Sequence, residues 1–483
     1  MGAGALAAAA PRARRLARRW LTLARLGGRS SARAVVHSVR RLGADEEQRK
    51  QLDAGFELKS AEDVAATLGG MKGAFMKLGQ LLSFVDDGMP EHVRAALAQL
   101  QDSAPPMSGA LAASVIRHEL GASPEAVFRS WDPTPLAAAS IGQVHRAVLP
   151  DGTAVAVKVQ YPDVAETMEA DLAQLDIARL IMPAMWKSLD ADAVTAELRD
   201  RLTEELDYRI EAGNQRDFAA WYAGHPFIHV PAVFDEFSAA RVLTTELVGG
   251  SRFAEVEQWA QAERDLAGEA IFRFVYRSLH DHLAFNGDPH PGNYLFQPGG
   301  RVSFLDFGLV KRLSPADRRT SMAVARAVAL DPDRRALRTV LEETGYFVPG
   351  APISDELVFE FSSMFWSYLA EDRPVTLTAE WASDTVRSYL FKEEKFREID
   401  RYGAVPPQFV ILQRITIGLF AILGRLNATA NWRRIALELW FDGPPASPLG
   451  DLEAAWLARR QSQSAASTPD TGSSSTTTSP TLT

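Results

Sequence analysis

Two aspartates and one asparagine constrain this chain more than anything else in it. Asp288 and Asn293 stand five residues apart in FNGDPHPGN, and Asp306 opens an Asp-Phe-Gly triplet thirteen residues after Asn293. Phosphoryl transfer needs a carboxylate to position or deprotonate a nucleophile, an amide oxygen to hold magnesium, and a second carboxylate between metal and phosphate, and this is their spacing. The fold must therefore bring two short loops, each beside a short strand, onto one triphosphate. Pro289, Pro291 and Gly292 stiffen the link between Asp288 and Asn293, which suits a site that works by positioning and charge. His290, held between the prolines, reads as a brace for the loop rather than a base.

An upstream lysine fits the same chemistry. Residues 136 to 160 read as two strands joined at Asp151-Gly152, a dipeptide that takes the positive φ angles of a tight hairpin. Val155, Val157 and Val159 alternate to one face, so Ala156 and Lys158 take the other, and Lys158 is the choice for holding the α- and β-phosphates. Ala137, Ala138, Ala139 and Ser140 precede a single glycine, Gly142, followed by Gln143. A loop of this composition can still turn backbone amides to phosphate but is stiffer than a glycine-rich one. Further on, a polar helical stretch carries Glu205, Asp207 and Glu211. Asp207 and Glu211 are i, i+4 and share a face, whereas Glu205 and Asp207 do not. Glu211 is assigned to pair with Lys158, leaving Glu205 and Asp207 to meet magnesium or an earlier helix. The run ARVLTTELVGG reads as a strand feeding a hinge where adenine would find main-chain partners, with Glu246 and Val248 as the candidates.

The rest of the chain sets boundaries. With 46% apolar and 9% aromatic residues over 483 positions, it can bury a large core in two or three domains. There is no cysteine, which excludes disulfides, thiolate catalysis and cysteine-ligated metals. Net charge is −9, yet residues 1–44 hold ten arginines and no acid, a pattern suited to an anionic membrane surface, a transit peptide or a basic arm. From Ser60 onward an apolar stripe marks a helix bearing Lys77 and Gln80, with a glycine load that implies close backbone approach. Phe409 to Gly424 is interrupted by Gln413 and Arg414, so it reads as a buried amphipathic helix rather than a membrane span. Residues 461–483 are nearly all small or polar and are expected to be disordered.

These motifs together resemble the UbiB/AarF family of atypical kinases associated with isoprenoid-quinone biosynthesis, over roughly residues 55 to 445. Lys77-Leu-Gly79-Gln80 matches that family's Lys-x-Gly-Gln element, Ala137 to Gln143 its alanine-rich loop, Glu205-Leu-Asp207 its Glu-x-Asp element, and DPHPGN and DFG its lower-lobe motifs. Asn286 and Gly287 replace the usual lead-in before the aspartate, and Thr245 stands where the hinge often has methionine. The resemblance implies an α+β, two-lobed protein-kinase-like fold with an N-terminal helical Lys-x-Gly-Gln extension and a helical C-terminal extension. Lys77, Gln80, Glu205 and Asp207 would be regulatory, the Lys-x-Gly-Gln helix lying over the cleft. Lys158, Glu211, Asp288, Asn293 and Asp306 would serve ATP and Mg²⁺. The expected divisions are a basic arm (1–54), a helical extension (55–130), a nucleotide-binding lobe (131–250), a catalytic lobe (251–345), a helical extension (346–460) and the tail (461–483).

Only Leu309 to Leu313 separate the Asp-Phe-Gly triplet from Ser314-Pro315, a helix start. A peptide-holding segment does not fit there, which favours a lipid or small-molecule substrate, or ATP hydrolysis coupled to a conformational change. Expected partners are that substrate, a peripheral membrane surface and quinone-biosynthesis enzymes, but not nucleic acid. The expected location is the cytoplasm or the inner face of a bacterial membrane, with a mitochondrion as the alternative. Rival readings are a small-molecule phosphotransferase of the aminoglycoside-kinase type and a non-catalytic nucleotide-binding scaffold.

Overall fold

The structure, a computed structural model, describes residues 107–139, 141–166, 204–390, 394–403 and 407–467. The expectations placed on Lys77, Gln80, Ser140 and the N-terminal arm lie outside these residues. Helix α1 (Gly109–Leu120) starts at Ser108, whose side chain accepts from Leu111 N–H, and stops at Gly121 with φ 77, the left-handed conformation glycine adopts without penalty. It buries Ala112, Val115 and Ile116, spaced to form one stripe.

That stripe packs on a four-stranded antiparallel sheet. Its strands are β1 (Ser130–Ala139), β2 (Gly142–Val148) and β3 (Ala154–Gln160). Helix α2 (Tyr208–Trp221) and the short β4 (Ile228–His229) follow, then β5 (Val242–Glu246) completes the order β1-β2-β3-β5. The hairpin expected at Asp151-Gly152 is present, with Gly152 at φ 95 and its N–H donating to Leu149 O at 2.9 Å. Val155, Val157 and Val159 are fully buried beneath α1, so the alternation placed Lys158 on the opposite face. One expectation is corrected here. Ala137, Ala138 and Ala139 are not a loop but the end of β1, paired with Val144, Gln143 and Gly142. The unit is thus a three-stranded meander, whose first strand carries Pro133 and Pro135 at its irregular registers.

The lower lobe is built around α3 (Gln261–Asp281). After it come β6 (Ala284–Asn286), β7 (Tyr294–Gln297), β8 (Arg301–Phe304) and β9 (Val310–Arg312). β6 pairs with β9, and β8 pairs antiparallel with β7 and parallel with β4. Phe274 of α3 stacks on Phe304 with ring centroids 3.6 Å apart, fixing the strands that flank both acidic loops. Helices α4 (Pro315–Ala325), α5 (Arg334–Glu343), α6 (Asp355–Trp366), α7 (Ala379–Leu390), α8 (Pro407–Leu426), α9 (Trp432–Phe441) and α10 (Pro448–Ser467) complete the chain.

The expected start of α4 is present as a full capping box between Ser314 and Asp317, with Pro315 at its first position. Leu419, Phe420, Leu423 and Leu426 of α8 are buried in the main core, so that apolar run packs inward. At the far end α10 continues to Ser467, seven residues into the stretch expected to be disordered. Among the described residues the architecture is mixed α+β and kinase-like, a small sheet with α1 packed on one face and a largely helical lobe beyond it.

Candidate functional site

Lys158 and Asp306 meet because two elements deliver them to the same helix. Lys158 projects from β3 toward α2, where its Nζ donates to both Glu211 carboxylate oxygens at 2.9 Å and to Asp306 Oδ2 at 3.4 Å. The ammonium also lies 5.0 Å from the Tyr208 ring centroid, within cation–π range. Burial alone would lower Lys158, yet Asp306 and Glu211 hold it well above the usual ammonium range. Burial pushes Glu211 up to about 7 against the pull of Lys158, with Asp306 adding to the rise. The pair is buried and tightly coupled, and the geometry supports a charged lysine shared between two carboxylates.

Helix α2 holds the site through one face. Glu211, Asn214 and Phe218 are spaced i, i+3 and i+7. Asn214 Nδ2 donates to Phe307 O at 3.1 Å, and the Phe218 and Phe307 rings sit 4.9 Å apart. One helix therefore grips the lysine and the Asp-Phe-Gly phenylalanine together. Asp207 behaves differently from expectation. It does not share the Glu211 face of a continuous helix but caps α2, with φ −122 and ψ 97, its carboxylate accepting from Arg209 N–H and pairing with the Arg209 guanidinium at 2.6 Å. The main-chain carbonyl of Glu205 accepts from Gln160 Nε2 at 3.2 Å.

Asp288 and Asn293 are joined directly. Asn293 Nδ2 donates to Asp288 O at 3.1 Å and to Asp288 Oδ2 at 3.3 Å, so the amide oxygen is the atom left to face a cation. His290 accepts from Gly292 N–H at 3.1 Å, the bracing contact its position implies. The two acidic loops are tied by a residue that sequence reasoning registered only as a departure from pattern. Asn286 Oδ1 accepts from Asp288 N–H at 3.1 Å, while its Nδ2 donates to Asp306 O. Asp306 Oδ1 in turn accepts from Gly308 N–H at 2.9 Å. Its place two residues before Asp288, on the strand that pairs with β9, shows only in the fold.

Other candidates fall elsewhere. Gln143 is fully buried, exchanging hydrogen bonds with the Met107 main chain and contacting His145 Nε2 at 2.8 Å, so its side chain is part of the core and does not reach a ligand. A Cβ on Gly142 would stand 2.3 Å from Val159 O, which makes close strand approach the reason for that glycine. The Glu246 side chain turns to His229 Nε2 at 3.1 Å and Ala232 N–H at 3.3 Å, and its own N–H donates to Ala232 O at 2.8 Å, so of this residue only the main-chain carbonyl could serve a ligand. Glu246 and Val248 line a hollow of about 370 Å³ against β4 and β8 that includes none of Lys158, Asp288, Asn293 and Asp306.

Among the described residues no three His, Asp or Glu side chains cluster as a self-sufficient metal site. Glu211, Asp306 and Asp288 supply more negative charge than Lys158 balances, and the buried Tyr208 hydroxyl has no partner. The donor set fits a divalent cation carried with phosphates.

Comparison with known proteins gives a consistent picture. A family profile described as "ABC1 atypical kinase-like domain" matches residues 99–341. The mitochondrial atypical kinase COQ8 of Saccharomyces cerevisiae is 28% identical over 77% of this chain and 74% of its own. The chloroplastic Arabidopsis thaliana protein Activity of bc1 complex kinase 8 is 34% identical over 57% of this chain and 37% of its own. A solved complex of Rv3197 with erythromycin, from Mycobacterium tuberculosis, is 30% identical, covers 82% of this chain and all of its own, and has a TM-score of 0.60. The chain spans about half or less of the length of the first curated relatives it matches. No described helix is long and apolar enough to cross a membrane.

Proposed function

The chain belongs to the ABC1 atypical kinase-like family, the UbiB/AarF group, and from that premise we propose an ATP- and Mg²⁺-dependent atypical kinase or ATPase that supports isoprenoid-quinone or other membrane-lipid metabolism. The observation that carries this reading is the contact of Lys158 with Glu211 at 2.9 Å and Asp306 at 3.4 Å, the arrangement in which a strand lysine can orient phosphates. Asp306 and the Asn293 amide oxygen would hold the metal, which when bound supplies neutralising charge to the transferring phosphoryl group. Asp288 positions the acceptor hydroxyl or water. Glu211 keeps Lys158 directed into the cleft.

The substrate reading rests on the short path from Asp306 to α4. β9 pairs with β6 from Val310, two residues after Gly308, and the α4 cap follows at Ser314, so a lipid or small molecule is the proposed acceptor. Peripheral contact with a membrane, and with quinone-biosynthesis enzymes, follows from the same proposal, as does a location in the cytoplasm, at an inner membrane face or in a mitochondrion. Lys77 and Gln80, with Glu205 and Asp207, are proposed to regulate access to the cleft.

The test is phosphate release from ATP and Mg²⁺, with and without lipid vesicles, followed by analysis of radiolabelled products in a lipid extract. Erythromycin belongs among the added ligands because the mycobacterial relative was solved with it. Asp306→Asn is expected to lower turnover by roughly 10²–10³-fold, the scale of losing one preorganised charge-stabilising group, with an unchanged melting temperature. Hydrolysis at the parent rate would remove the metal assignment. A labelled water-soluble product would favour the aminoglycoside-kinase-type reading, and nucleotide binding without turnover would favour the scaffold.

A further inference from the structure

The Lys158 ammonium occupies a seat made for a cation of any kind. Three carboxylate oxygens stand around Nζ, Glu211 Oε1 and Oε2 at 2.9 Å and Asp306 Oδ2 at 3.4 Å. The Tyr208 ring adds its face, with the centroid 5.0 Å away, and a ring face attracts positive charge. Carboxylate oxygens are also the ligands that hard divalent ions take, so lysine and metal draw on the same atoms.

The two carboxylates hold the ammonium unequally. The Glu211 side chain is 6% exposed and gives both oxygens, whereas that of Asp306 is 27% exposed and gives one, at the longer distance. Asp306 Oδ1 accepts from Gly308 N–H at 2.9 Å, which anchors this carboxylate whether or not the ammonium stays on its other oxygen. The Asp306 contact is therefore the one an incoming anion can exchange, and the Glu211 contact the one that persists. While Lys158 remains on Asp306 Oδ2, a dication on that carboxylate would be a near neighbour of a full positive charge in a partly buried site, where water screens little.

We propose that Lys158 is a resident cation that keeps divalent ions off Asp306 until a polyphosphate arrives. Phosphate oxygens take the ammonium over from Asp306, and the released carboxylate oxygen then serves the metal that the nucleotide carries. The inference rests on the metal role proposed for Asp306 and adds an order to it: the free protein ignores divalent ions, and the metal–nucleotide pair is admitted as a unit.

The test is Mn²⁺ binding to the full chain without nucleotide, followed by electron paramagnetic resonance and by melting at constant ionic strength. Lys158→Ala and Lys158→Gln are expected to bind Mn²⁺ at least about tenfold more tightly than the parent, the scale of removing a unit charge beside a dication. Their melting midpoints should rise with Mn²⁺ while that of the parent does not. The glutamine variant fills the seat without charge and stands in if the alanine variant melts too early to titrate. Adding Asp306→Asn to either should erase the gain. Equal Mn²⁺ affinity in parent and Lys158 variants, or a gain that survives Asp306→Asn, would overturn the proposal. The role of Asp306 itself is read separately, from the protein-bound Mn²⁺ signal with adenylyl imidodiphosphate, an analogue that is not hydrolysed. Loss of that signal in Asp306→Asn supports the metal role, and its persistence there removes that role and this proposal together.

Discussion

Asn286 Oδ1 accepts from Asp288 N–H while its amide nitrogen donates to the Asp306 carbonyl, so one side chain sets the spacing of two loops. Asn286→Ala is expected to lower kcat/KM for ATP hydrolysis by roughly 10–100-fold, because small displacements of a positioned group cost that much, and to cost about 1–3 kcal/mol of stability. Asn286→Asp keeps the acceptor for Asp288 and loses the donor to Asp306; it should be impaired like the alanine variant, which steady-state kinetics beside a thermal melt would show. Recovery of the parent rate by Asn286→Asp would leave the Asp306 contact without a positioning role. Lys158 and Glu211 were legible because strand alternation and an acidic helix restrict where such side chains can point. Asn286 was not, since nothing in a single sequence distinguishes an asparagine that bridges two backbones from one facing water.

Elements were legible where periodicity was strong and illegible where capping or pairing overrode it. The Asp151-Gly152 hairpin and the α4 capping box follow from local chemistry, and local chemistry suffices to form them. The break before α2 does not, because Asp207 suits both a helix interior next to Glu211 and the N-cap it actually occupies. β1 was missed over Ser130–Leu136 because Pro133 and Pro135 remove ladder donors, which an edge strand with irregular register tolerates. At Gly142 the β3 backbone leaves no room for a side chain. Gly142→Ala is therefore expected to cost about 1–3 kcal/mol through overpacking. A denaturant midpoint indistinguishable from that of the parent would show that the strands can separate locally.

Across the whole molecule, a buried charge network ties α3 to the two last helices. Arg273 is fully buried and pairs with Glu269, Glu438 and Glu453, each at 2.7 Å, and Arg277 reaches Glu453 at 3.2 Å. Burial would raise Glu453, but His225, Arg277 and Arg273 draw it down to about 2 from its ordinary 4.5. A carboxylate depressed in the folded state adds stability above its unfolded pKa and loses it as pH falls toward the folded value. The contribution is about 3 kcal/mol at neutral pH, lost between pH 4.5 and 2. Glu453→Gln should cost about 3–5 kcal/mol at pH 7 by leaving buried arginine charge uncompensated, and should flatten the acid limb of the stability curve; urea midpoints at pH 7 and pH 3.5 check both. None of this was legible, because its members lie up to 228 positions apart in sequence. The union of β9 with β6 directly behind Gly308 has its own consequence. Where some phosphotransferases hang a tether that a second enzyme can tag and swing aside, this molecule has a seam already sewn, and a mark written on that stretch of chain would find no loose segment to move.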